Sequence, residues 1–99
     1  KAPDAVPYNI TASYYIRRED QALAPQITEA ANQALQAYIQ WQRAKMGRDI
    51  DPGELNARLR AAGVKRAVIT SPAYTELDGW EVAQEATVAP LEMAGFEDD

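Results

Sequence analysis

The apolar residues change their period abruptly at Arg17–Asp20, and that change limits the fold more than any other feature of the chain. From Tyr8 to Ile16 the residues alternate, with Tyr8, Ile10, Ala12, Tyr14 and Ile16 on one side and Asn9, Thr11, Ser13 and Tyr15 on the other. Period two with aromatic and β-branched residues reads as a half-buried strand. Past the charged turn the spacing becomes three and four: Ile27, Ala31, Ala34, Leu35, Tyr38, Ile39 and Met46 form one stripe. This stripe predicts a helix from Leu23 to Met46, with Pro25 in its first turn and Gly47 just past its end.

A second helix is marked by its start chemistry. Asp51 is placed to cap the first N–H groups, Pro52 suits the first helical position, and Glu54 completes an Asp-x-x-Glu capping box. Ile50 and Leu55 stand at the positions of a hydrophobic staple. Leu55, Leu59 and Ala62 supply a buried line, and Gly63 stops the helix, giving Pro52–Ala62. Val64–Thr70 then reads as a second strand ended by Ser71-Pro72. Trp80–Val88 reads as a third, with Trp80, Val82, Ala86 and Val88 on one side and Glu81, Glu85 and Thr87 on the other.

The expected fold is therefore α+β, in the order strand-helix-helix-strand-strand. It has a three-stranded, mostly antiparallel sheet with two helices on one face. At 99 residues the chain has the size of one domain. Residues 8–89 are expected to form that domain, residues 1–7 a linker from an upstream region, and residues 90–99 a loose acidic tail. A chain starting at Lys1 is expected to be a piece of a longer protein.

Chemistry is restricted by what is missing. There is no cysteine and no histidine. Disulfides, the usual zinc sites and every dyad or triad built on a thiol or imidazole are excluded. Ser13 and Ser71 have no base beside them in any recognisable pattern, and Lys45 and Lys65 sit among other charges. Glu81 and Glu85 fall on the solvated side of a strand, which is a poor setting for paired-carboxylate hydrolysis. Asp49-x-Asp51 lacks the glycine and glutamate of a calcium loop, and helix capping accounts for both acids. No catalytic residue, cofactor, metal or small-molecule substrate is expected, and no stretch has the length and apolarity of a membrane span.

The net charge of −5 is unevenly spread. Residues 43–66 carry seven bases against three acids, whereas residues 67–99 carry eight acids and no base. Opposite charges on separate surfaces favour encounter between protein subunits and fix their orientation. The candidate interface residues are Tyr15, Trp41, Arg48, Arg58, Lys65 and Arg66, the four bases being expected to face an acidic partner patch. Trp41 and Tyr15 are open to either reading, core or interface anchor.

Several short pieces occur in a characteristic order: Tyr38-Ile39-Gln40-Trp41-Gln42, Gly47-Arg48-Asp49-Ile50-Asp51-Pro52, Ala62-Gly63-Val64-Lys65-Arg66, and Ser71-Pro72. With the strand Tyr8–Ile16 before them, they resemble the C-terminal domain of the baseplate J-like proteins of contractile phage tails and related prophages. Gly53 stands where that family tends to carry serine. The resemblance covers Tyr8 to about Pro72. It implies a non-catalytic structural component of a baseplate wedge within a larger hetero-oligomeric assembly. The partners would be other wedge and tail proteins, and the location the virion tail, assembled in the bacterial cytoplasm. The alternative is a KH-like nucleic-acid-binding module, which shares the strand-helix-helix-strand order. It requires a Gly-x-x-Gly loop where this chain has Gly47-Arg48-Asp49-Ile50, and the negative net charge opposes phosphate binding.

Overall fold

The computed structural model describes residues 4–98. Lys1–Pro3, at the start of the expected linker, and Asp99, at the end of the expected tail, lie outside the described residues. The first strand, β1, spans Asp4–Arg17, and a 3-10 turn over Arg18–Leu23 leads into α1, Ala24–Arg43. α2 spans Pro52–Ala61, and three strands follow: β2 at Arg66–Ser71, β3 at Glu81–Val88 and β4 at Glu92–Glu97. The helix stripe ends earlier than the sequence implies, because Met46 lies beyond α1 and is half exposed.

The sheet has four strands and is mixed, which corrects the expected three-stranded, mostly antiparallel one. β2 is antiparallel to β1, as the two returning helices require. β3 and β4 are both parallel to β1, on the edge away from β2. β3 lines the first half of β1 and β4 the second, so together they form one edge interrupted at Ala89–Leu91. The 72–80 connection carries the chain from the edge of β2 to the start of β1, where Asp4 N–H donates to the Trp80 carbonyl at 3.0 Å. A chain arriving at that end can only run alongside β1 in the same direction. The stretch expected as a loose tail is thereby paired as β4.

Three bulges adjust the register. Ala86 is the extra residue in β3, Ala94 in β4 and Thr70 in β2. The β3 bulge reverses the sides of some of the expected alternation. Ala83, not Val82, is the buried residue, and Trp80 is half exposed in the turn before the strand.

Pro7 lies inside β1, and the backbone directions explain why it is tolerated. Asp4 N–H donates to Trp80 and the Ile10 carbonyl accepts from Ala89 N–H, so even-numbered residues aim their backbone groups at β3. Odd-numbered residues face the other edge, which β2 reaches only from Thr11 onward. The N–H that proline lacks falls where no strand needs it, and its absence blunts an open edge.

Both helices cover the even-numbered face of β1. Tyr8, Ile10, Tyr14 and Ile16 meet Ile27, Ala31, Leu35, Tyr38 and Ile39 of α1 and Leu55 and Leu59 of α2 in one buried cluster. Burial of each such leucine or isoleucine is worth about 1.5–3 kcal/mol. Tyr14 satisfies its hydroxyl by donating to Thr28 Oγ1 at 2.9 Å. Among the described residues, nothing forms a covering layer on the odd-numbered face, with Thr11, Ser13 and Tyr15.

Candidate functional site

Gln42 is fully buried and forms the joint between α1 and the loop that follows it. Its Oε1 accepts from the Tyr38 hydroxyl at 3.0 Å and from Asp51 N–H at 3.2 Å. Its Nε2 donates to the carbonyls of Asp49 at 2.8 Å and Arg48 at 3.3 Å. Burial pushes the Tyr38 hydroxyl well above its usual ionisation range, which keeps it a donor. The Asp49 carboxylate extends the joint to the 72–80 connection. It accepts from Leu77 N–H at 2.9 Å and from the Tyr74 hydroxyl at 2.8 Å, and these bonds hold its carboxyl below the usual range. Ile50 and Thr75 exchange backbone hydrogen bonds, and Gly47 N–H donates to the Glu81 carbonyl at 2.7 Å.

Asp51 Oδ1 accepts from Gly53 N–H at 2.9 Å at the start of α2. Glu54 does not make the other half of the expected capping box. Gln42 has already taken the Asp51 N–H, and the Glu54 carboxylate turns to Arg58. Ile50 and Leu55, the expected staple pair, are buried in the same cluster. Glu81 accepts from Asp78 N–H at 2.7 Å, and Glu85 is held by Arg43, so these two acids do not converge. Glu85 and burial act on Tyr8 as well: burial first, then the neighbouring charge, pushes its hydroxyl up to about 12.

The six candidate interface residues fall into two groups on opposite sides of the sheet. On the helix side, the Trp41 ring lies under the Arg48 guanidinium at 4.2 Å from its centroid, with Arg58 at 5.9 Å. Each such cation–π contact contributes about 0.5–2 kcal/mol depending on exposure. Arg48 also donates through Nη1 to the Trp41 carbonyl. Arg58 Nε lies 2.8 Å from Glu54 Oε2, yet meets it off-axis, so its N–H lacks a well-aligned acceptor. The Tyr38 ring stands 6.0 Å from Trp41 and joins this stack to the core.

On the uncovered side, Arg66 of β2 reaches over Tyr15 of β1, 4.0 Å from its ring centroid, to Glu97 of β4. Lys65 Nζ adds a contact to the same carboxylate at 3.3 Å. The Arg66 bonds, supported by Lys65, lower the Glu97 carboxyl to about 2. The expectation that Lys65 and Arg66 face a partner's acids therefore meets a competing acid within the chain. Glu97 is hidden from sequence reasoning because its strand reads as a tail. Leu91, Met93 and Phe96 in that stretch are the available signal.

The Gly47–Ile50 loop, which the KH-like alternative would need as a phosphate cradle, is tied down instead. Two of its carbonyls are taken by Gln42, and its single carboxylate, that of Asp49, by the 72–80 connection. Among the described residues no group of three or more acids converges as a metal site. Among the described residues no helix is long and apolar enough to cross a membrane.

The pieces Tyr38–Gln42 and Gly47–Pro52, separated in sequence, thus meet at one buried glutamine that ties the start of α2 to the end of α1. The comparison with curated proteins returns no match. The family described as Baseplate J-like protein C-terminal domain matches residues 8–89, most of the chain, and the chain belongs to that family.

Proposed function

We propose that this domain is a wedge component of a contractile phage-type tail baseplate, where it holds neighbouring wedge and tail proteins through protein–protein contacts. Family membership gives the coarser half of that reading, a structural role in a phage baseplate. The observation that carries the finer half is the half-covered sheet. A two-helix layer protects one face, while the other presents Tyr15, Arg66 and the exposed Val68 to whatever packs there. A half-buried tyrosine ring and an arginine stacked on it are the residue types that anchor interfaces. The Trp41–Arg48–Arg58 stack supplies a second contact surface on the helix side. On this reading the module works in the virion tail after assembly in the bacterial cytoplasm.

The test is purification of the tagged full-length parent from its host, with co-purifying proteins identified by mass spectrometry. Recovery with wedge and tail proteins is the expected result. Recovery with RNA and ribonucleoproteins, or with no tail component under inducing conditions, overturns the proposal.

A further inference from the structure

The uncovered face carries a recess where β3 gives way to β4. Pro90 cannot donate to a ladder, and Ala89–Leu91 leave the strand path opposite Thr11 and Ala12. The gap is about 130 Å³. Thr11, Ser13, Thr70 and Glu92 form its polar wall, and Ala89 and Pro90 its apolar one. Glu92 is paired in register with Ser13, whose neighbour on the other side is Val68, so the recess sits near the middle of the open face.

Glu92 differs from the other acids of its edge. Glu81 accepts a backbone N–H, Glu85 is held by Arg43, and Glu97 by Arg66 and Lys65. Among the described residues, no cation and no hydrogen-bond donor pairs with the Glu92 carboxylate. Three hydroxyls and one unpaired carboxylate thus surround a space the size of one side chain.

We infer that this recess receives a lysine side chain from a neighbouring baseplate protein. An ammonium directs three donors outward from a point, which suits a ring of hydroxyl oxygens closed by one carboxylate. A guanidinium needs a carboxylate met edge-on by its planar fork, the arrangement Arg66 already makes with Glu97. The methylene stem of lysine lies along the apolar wall of Ala89 and Pro90. Glu92, the unpaired acid that lines the recess, supplies the charge a basic side chain would meet on this face.

The inference rests on the proposed assembly role, and its test separates the two. Particles containing the full-length parent are treated with a carbodiimide, which joins a carboxylate and a lysine amine in contact as an amide. Mass spectrometry should find the Glu92 peptide linked to a lysine of another tail protein, and Glu92→Gln should abolish that link. Glu92→Lys should lower recovery of the same partner about tenfold, as expected for reversing one charge-assisted contact. Glu92 left unlinked while other subunits crosslink, or linked only to a lysine of this chain, overturns the lysine recess and leaves the assembly role standing. Absence of tail proteins from the particles removes both.

Discussion

Arg66 holds Glu97 by two hydrogen bonds, Nε to Oε1 at 2.8 Å and Nη2 to Oε2 at 2.9 Å, and reaches over the ring of Tyr15 to do so. One side chain thereby links the last strand to β2 across the strand that separates them. The fork geometry makes the pairing specific as well as attractive.

The pH dependence of this clamp follows from the Glu97 carboxyl. It ionises at about 2 in the fold, against 4.5 for an ordinary glutamate. As pH falls, the unfolded chain takes up this proton first, so the stabilisation is whole above pH 4.5 and is lost toward pH 2. Wild type should therefore exceed Glu97→Gln in urea midpoint at neutral pH, with the difference closing over that window. A difference that stays constant down to about pH 2 would show that the clamp does not stabilise the fold.

Gln42 is the polar residue whose loss should cost most. Gln42→Leu strands the Tyr38 hydroxyl, the Asp51 N–H and two loop carbonyls, for about 3 kcal/mol or more. Gln42→Glu keeps the acceptor but removes the donor that faces the Arg48 and Asp49 carbonyls. Both should lower the chemical denaturation midpoint. If Gln42→Leu is as stable as wild type, the joint does not stabilise the fold.

Gly47 has a φ of 75°, and a Cβ placed on it would stand 3.2 Å from Gly79 Cα. Both the backbone and the neighbour resist a side chain there. Gly47→Ala should destabilise by about 1–3 kcal/mol. Gly79→Ala, where a Cβ meets nothing within 4 Å, is the matched control and should cost less. Thermal melts of the pair check this directly.

For the helix-side surface, Trp41→Ala and Arg48→Glu separate packing from charge. Trp41→Ala should lower stability and assembly together, because the ring touches Tyr38 as well as the two arginines. Arg48→Glu should reduce recovery of tail partners several-fold, about the effect of one interface charge, with a melting temperature within a few degrees of wild type. Undiminished recovery with both variants would remove this side from the proposed interface.

The legible portions of the fold are those that local pattern determines. The alternation at Tyr8–Ile16 announces β1, and Asp51-Pro52 announces the start of α2. Parallel pairing is not written locally, since it depends on where the 72–80 connection sets the chain down, and that depends on Asp49 and Ile50. The bulges at Ala86 and Ala94 further disturb the period-two signal of β3 and β4. Gln42 is legible in principle. It lies four residues beyond Tyr38, on the apolar stripe itself, where a polar side chain demands an explanation. The candidate residues are individually visible, but their division between two sides of the sheet requires the topology.

The direction of the last two strands has a mechanical consequence. Because β3 and β4 both run with β1, Asp4 lies at one end of the sheet and Glu97 at the other, in a molecule 51 Å long and 19 Å across. Tension drawn between those residues acts along the strands and loads the row of backbone bonds in shear, all together, as in a glued lap joint. The same bonds pulled sideways at the outer edge of β3 would break singly, each in its turn, like a zip.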